Sequence, residues 1–242
     1  MSGHSKWAQI KRQKGTADVK KGLTFTKISN AITIAVRSSA GVIDPDQNFR
    51  LRLAVEEARA SNMPKDNIER AIQRAAGREG GALEEVVYEG FAPYGVSVII
   101  EAATDNSQRT TSEIKSIFNK EGANFGKQGS VSYQFKHMRK IVVKKNGKSF
   151  DEIFEIGAES GAEDVEDKGE EVFIYSPVTD FSSLREKLLE KGLEISNLDL
   201  IRKPTILVPI LDQEKFDKVI SFLNRLEELD DVQKVYSNLE LH

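Results

Sequence analysis

The 242-residue chain predicts an α+β multidomain fold: an N-terminal three-helix domain followed by two ferredoxin-like α/β domains, one inserted in the other. Three observations lead there. Apolar residues recur at three- and four-residue spacing up to Gly77 and at alternate positions beyond it. Three glycines within residues 77–81 separate the two regimes and favour a hinge. Residues 136–203 alone spell β-α-β-β-α-β, and the pieces flanking them give that order a second time.

Each element has its own signal. Phe25, Ile28, Ile32, Ala35 and Val36 share one helical face, so residues 18–40 are predicted as an amphipathic helix, broken by Gly41 and Pro45. Phe49, Leu53, Val55 and Ala58 mark a second helix ending at Ser61 and Asn62. Pro64, suited to a first turn, and Gly77, suited to the position past a helix end, bracket a third whose apolar face is Ile68, Ala71, Ile72 and Ala75. These make the first domain, residues 1–80. Residues 86–89 and 95–103 are predicted strands, and 107–120 a helix with Ile114, Ile117 and Phe118 inward. Val131, Tyr133 and Phe135 alternate, so 130–135 is predicted as a strand with all three in the core. A strand at 205–211, a helix at 214–229 and a strand at 232–236 complete a discontinuous middle domain, 81–135 and 204–242.

The insert, 136–203, is predicted to hold strands at 140–144, 164–166, 172–175 and 198–202 and helices at 150–160 and 184–191. Phe150, Phe154, Phe173 and Leu184 are its expected core. First and last strands are neighbours in such a sheet, so the ends of the insert emerge together.

Composition excludes whole classes of function. The chain has no Cys, hence no disulfide framework, Cys-ligated zinc, iron–sulfur cluster or thiol nucleophile. No apolar run approaches the about 18–20 residues of a membrane span, and residues 1–15 hold no signal-peptide core. A soluble, cytoplasmic protein is expected. The net charge of −3 is unevenly spread. Residues 1–40 carry eight Lys/Arg and one acid, residues 41–80 seven of each sign, and residues 81–242 carry 20 basic and 30 acidic side chains. A basic head on an acidic body is the pattern of a chain that meets a polyanion at one end.

That head supplies the candidate nucleic-acid-binding residues: His4, Lys6, Trp7, Lys11, Arg12, Lys14, Lys20 and Lys21. Cations suit phosphate, and Trp7 offers a plane for stacking on a base or packing on a sugar. The other reading is a solvated basic tail whose Trp packs on the helical domain. Arg70, Arg74 and Arg78 lie one turn apart and extend the basic surface as secondary contacts, unless local Glu–Arg pairs use them up. Arg109, in a first helical turn, opposes the helix dipole; an anionic partner or a salt bridge would account for it. In Thr104-Asp105-Asn106, Asp105 is expected to cap the helix that follows rather than to act as a catalytic carboxylate.

No catalytic constellation stands out. The loop 122–129 departs from a phosphate loop in glycine spacing, in Gln128, and in the strand expected after it; Lys127 is read as a loop residue. Tyr133 and Phe135 lack the Lys/Arg-Gly-aromatic-Gly context of an RNA-recognition motif. The acidic run 163–171 lacks calcium-loop spacing and is read as a solvated hairpin. His4, His137 and His242 are too scattered for a metal site or a triad. No cofactor, metal or small-molecule substrate is implied. No helix-turn-helix with base-reading side chains is evident.

Four ordered motifs resemble those of the YebC/PmpR family, which includes the mitochondrial translational activator of cytochrome c oxidase. They are Gly3-His4-Ser5-Lys6-Trp7; Met-Pro-Lys-Asp-Asn-Ile-Glu-Arg-Ala-Ile at 63–72; Tyr-Glu-Gly at 88–90 with Thr-Asp-Asn-Ser-Gln-Arg-Thr at 104–110; and Gly129-Ser130-Val131-Ser132. Residues 91–95, Phe-Ala-Pro-Tyr-Gly, replace the more Gly-rich loop usual in that family, and 11–14 read Lys-Arg-Gln-Lys where a His is often found. The resemblance implies a helical domain and two α/β domains, the third inserted in the second. It also implies non-enzymatic control of gene expression, with DNA as first partner and ribosomal RNA or the ribosome as the alternative.

Overall fold

A computed structural model describes residues 17–77 and 83–240, with side chains from Gly22 onward. They form two compact units, one of residues 135–206 and one of the remainder.

The larger unit begins with three helices, α1 (Ala17–Ser38), α2 (Phe49–Ala60) and α3 (Lys65–Ala76). Their apolar stripes meet in one core of Ile28, Ile32, Val36, Leu51, Val55 and Ile68. Buried Asn48 fixes the first corner. Its Oδ1 caps α2 by accepting from Leu51 N at 3.0 Å, and its Nδ2 donates to the carbonyls of Ala35 and Val42, both at 2.9 Å. Both donors and one acceptor position of a buried amide are thus used on chain direction.

An antiparallel sheet follows in the order β3-β1-β2-β8, from β1 (Glu84–Phe91), β2 (Ser97–Thr104), β3 (Asn124–Phe125) and β8 (Val232–Ser237). Helices α4 (Ser107–Lys120) and α7 (Gln213–Glu227) cover one face, where Phe118 meets Phe125 and Phe222 edge-on at 5.5 and 5.0 Å between ring centres. α1 touches β2 and β8, and Arg50 bonds Glu85 at 2.7 Å. In Tyr-Glu-Gly, Gly90 is required by space: a Cβ there would lie 2.5 Å from the Phe118 ring and 2.6 Å from the Asn124 carbonyl. The hairpin between β1 and β2 sets Tyr94 at φ 65°, a left-handed conformation that costs a non-glycine residue about 1–3 kcal/mol. A glycine would be unstrained there.

The smaller unit is the ferredoxin-like insert. It comprises β4 (Phe135–Lys144), α5 (Phe150–Ser160), β5 (Asp164–Asp167), β6 (Glu171–Pro177), α6 (Phe181–Glu190) and β7 (Glu194–Pro204), with sheet order β5-β6-β4-β7, all antiparallel. Ser149 and Glu152 form a reciprocal capping box at the start of α5. Phe173 and Leu184 are buried as expected, but Phe154 is 47% exposed and Phe150 only half-buried; the two rings pack on each other at 5.9 Å instead.

Three further expectations are corrected. Residues 130–135 do not form a strand: Ser132–Gln134 is a 3-10 turn, and Tyr133 is 73% exposed while Val131 and Phe135 are buried. The cause is Glu89, a carboxylate 3% exposed on β1. Its Oε1 accepts from Gly129 N at 2.9 Å, and its Oε2 from Val131 N at 2.8 Å and Ser132 N at 2.9 Å. Amides converging on one carboxylate curl the chain and cannot serve a sheet ladder. Residues 205–211 are not a strand either, apart from a single bridge, Val208 to Leu239. Pro209 has no N–H to give a ladder. The place beside β2 is already filled by β1, which comes from ahead of the sheet's β-α-β unit. The cap of α4 is Asn106, whose Oδ1 accepts from Arg109 N at 3.1 Å, and not Asp105.

Two outcomes follow. Residues 135–206 expressed alone should unfold in urea as one cooperative transition; a product without a transition refutes an autonomous insert. Glu89→Gln turns an acceptor into an NH2 facing N–H donors and should cost about 1–3 kcal/mol in chemical denaturation. Burial pushes the Glu89 carboxyl up, but the N–H groups of Gly129, Val131 and Ser132 outweigh it and hold it below the usual range. The contribution of a depressed carboxylate is complete above its unfolded value of about 4.3 and is lost as pH falls through the folded value. The stability gap between wild type and Glu89→Gln should therefore be constant from neutral pH down to about 5 and shrink below about 4. A gap that grows on acidification contradicts this assignment.

Candidate nucleic-acid interface

Of the predicted contact residues, His4, Lys6, Trp7, Lys11, Arg12, Lys14 and Arg78 lie outside the described residues. Lys20 and Lys21 fall within the first two turns of α1.

Arg70 and Arg74 occupy the outward face of α3, as their four-residue spacing requires. The Arg70 guanidinium is aimed by its own helix: Nε donates to the Asp66 carbonyl at 3.1 Å and Nη2 to Asn67 Oδ1 at 2.6 Å. Arg74 is exposed and, among the described residues, has no ion-pair partner. Together with Gln73 and Gly77 they line a shallow recess whose remaining wall is Asp66 and Glu69. Residues 61–64 join α2 to α3 in four residues, as Ser61, Asn62 and Pro64 predict. Acids and bases alternate on the exposed face, so it is not a uniform phosphate-binding surface.

Arg109 sits in an internal network. Its Nη2 donates to Asp231 Oδ2 at 2.8 Å and to Asp105 Oδ1 at 2.9 Å, and these bonds make the guanidinium still harder to deprotonate. Asp231 also accepts from Thr110 Oγ1 at 2.6 Å and from Thr104 Oγ1 at 3.0 Å, while Thr104 accepts from Asn106 N at 2.9 Å. Burial pushes the Asp231 carboxyl up; the donors from Thr110, Arg109 and Thr104 outweigh it and hold it low. The motif at 104–110 thus docks the start of α4 onto the loop before β8. Asp231 itself carries no local sequence signal, since its partners are over 100 residues away.

The Gly-rich loop 122–129 has a similar explanation. At its end and just beyond it, the backbone N–H groups of Gly129, Val131 and Ser132 converge on one point, as in an anion-binding nest. Here the anion is the protein's own Glu89. Among the described residues no group of three or more His, Asp or Glu side chains is placed to hold a metal ion. His137 Nε2 lies 2.6 Å from Arg202 Nη1.

Family profiles match along the chain: the "TACO1/YebC protein N-terminal domain" over residues 5–78 and the "TACO1/YebC second and third domain" over 83–239. Full-length relatives bear the name "Probable transcriptional regulatory protein". That of Persephonella marina is 46% identical and that of Chloroflexus aurantiacus 45%, each over 100% of this chain and 96% of the relative. A crystal structure of a conserved hypothetical protein from Aquifex aeolicus is 44% identical and superposes with a TM-score of 0.84 over 98% of this chain and 97% of that one. With the helical region, both sheets and their order in the chain all matched at this level of identity, the chain belongs to the TACO1/YebC family.

Proposed function

We propose that the chain is a non-enzymatic, nucleic-acid-binding regulator of gene expression that works in the cytoplasm, first of all as a DNA-binding transcriptional regulator of the YebC/PmpR type. The names of its relatives support the regulatory reading. The observation that carries nucleic acid is the concentration of charge: eight cations against one acid in residues 1–40, on a chain whose net charge is −3. Such a head draws a polyanion to one end, and the acidic remainder keeps it from wrapping elsewhere. His4, Lys6, Trp7, Lys11, Arg12, Lys14, Lys20 and Lys21 make the primary contact, with Arg70, Arg74 and Arg78 beside them. Glu89 is buried and Asp231 partly buried; internal donors hold both carboxyls below the usual range, which makes them poor proton donors for catalysis. No described helix is long and apolar enough to cross a membrane, and neither a membrane nor a small-molecule substrate enters the proposal.

A second reading, a translation factor on ribosomal RNA, draws support from the basic head with Trp7, whose plane suits the unstacked bases of a folded RNA at least as well as duplex DNA. Crosslinking in cells, with DNA and RNA recovered in parallel, separates the two; ribosomal RNA dominance selects the second.

Replacing Lys6, Lys11, Arg12 and Lys14 together by Ala should remove most of the affinity for the true partner. It should flatten the slope of log K against log salt by up to about 3–4 units on duplex DNA, at about 0.9 per lost contact. Trp7→Ala should cost about 1–3 kcal/mol on unstacked bases and little on a regular duplex. Unchanged affinity and slope in the quadruple variant would make the head a solvated tail.

A further inference from the structure

We infer that the loop 126–134 of the middle domain is a second nucleic-acid contact, in which Tyr133 stacks on an unpaired base and Lys127 meets the adjoining phosphate. This rests on the nucleic-acid reading above and adds to it a site and a substrate class: single-stranded nucleic acid.

The backbone of the loop is held by a set of hydrogen bonds. Glu89 gathers its backbone through Gly129, Val131 and Ser132, Gly126 N donates to the Glu89 carbonyl at 2.8 Å, and Gln134 N donates to Val131 O at 2.9 Å. From this frame Tyr133 projects 73% exposed, the largest exposure of any aromatic among the described residues. Its ring is nevertheless held. Gln134 Nε2 donates to the Tyr133 hydroxyl at 3.0 Å, and Gln134 Oε1 accepts from Ser97 Oγ and Asn238 Nδ2, each at 3.0 Å. Ser97 and Asn238 are themselves buried, and Ser97 N donates to Asn238 Oδ1 at 2.8 Å. An exposed aromatic tied through three polar side chains to a buried anchor has lost its rotamer entropy before any partner arrives.

The chemistry around it selects the partner. Lys127 and Gln128 on the same loop are exposed, and Lys127 has no ion-pair partner among the described residues. Tyr133 is the loop's single exposed large apolar side chain, because Val131 is buried. One aromatic plane with a cation and an amide matches a base, its phosphate and its polar edge. A docked protein would ask for a contiguous apolar patch. A regular duplex offers no free base face, so the site discriminates for unstacked strands.

The test uses the full chain and three probes: an unstructured oligouridine RNA, the matching oligothymidine DNA, and a duplex of mixed sequence. Tyr133→Ala should weaken binding to both single strands by about 5- to 150-fold, the factor one stacked base is worth, and leave the duplex unaffected. Tyr133→Phe should retain most of the affinity, and Lys127→Ala should flatten the single-strand salt slope by about 0.7. Irradiating the complex with 5-iodouridine RNA should place the adduct on Tyr133. Loss on RNA but not on DNA identifies RNA as the source. If Tyr133→Ala and Lys127→Ala bind like wild type while the quadruple head variant does not, the second contact is wrong and the proposed function stands. If the wild type binds none of the probes, both fall.

Discussion

A carboxylate buried without a cation is the constraint around which the middle domain is arranged. Burying an unpaired charge is costly unless hydrogen bonds replace the lost water. Glu89 meets that condition with three backbone N–H groups from residues 129–132. Charge-assisted bonds of this kind are stronger than neutral ones, so the loop's path is fixed by the carboxylate and not by its own side chains. Gly90, the next residue, leaves room for the Phe118 ring to close over the same strand. Tyr88 joins them from the other side, its hydroxyl 3.2 Å from Thr111 Oγ1 on α4. Three adjacent residues of β1 therefore fasten the loop, the core ring and the helix.

A second carboxylate, the partly buried Asp231 at the far end of β2, is held by a cation as well as hydroxyls, receiving Arg109, Thr104 and Thr110. Both carboxylates join segments distant in sequence, 89 to 129–132 and 231 to 104–110. Motifs that look like catalytic or phosphate-binding fragments in one dimension become internal clamps in three. At Asp231 one oxygen, Oδ2, takes the bonds from Thr104, Arg109 and Thr110 together, which fixes the acid as a structural tie.

Periodicity located the helices because a helix is closed by its own hydrogen bonds, and its buried stripe is local. Residues 107–120 and the stripe Ile28, Ile32, Ala35 and Val36 were legible for that reason. The insert was legible because its elements alternate regularly within a short span. The failures share one cause. Val131, Tyr133 and Phe135 alternate as strand residues do, yet a strand also needs a neighbour to accept its ladder, and Glu89 had taken the donors. Residues 205–211 had suitable side chains, but β1 fills the place beside β2. Asp105 and Asn106 are equivalent as caps by composition; Asn106, extended directly before the helix, accepts from Arg109 N, while Asp105 bonds the Arg109 side chain. Pairing between distant residues leaves no periodic trace. Of the candidate interface, charge was legible throughout, because it needs only counting. The orientation of Arg70 by Asn67 and the outward Tyr133 were not.

In the proposed function, charge and shape divide the work between the basic head and the α/β part of the chain. Long-range attraction depends on the net field, and the field is concentrated in the first 40 residues, where cations outnumber acids eight to one. Such attraction is indifferent to sequence and falls with salt. Selectivity must come from groups whose geometry is set before contact. The α/β part has those groups but little positive field, since residues 81–242 hold 30 acids against 20 cations. A polyanion brought in by the head would therefore meet the rest of the chain only where local geometry outweighs local repulsion. In the proposed loop contact, the carboxylate behind the loop is buried and hydrogen-bonded to backbone amides instead of exposed. That carboxylate is Glu89. By turning its charge inward onto three amides, it lets the loop above it present Lys127 without an opposing acid.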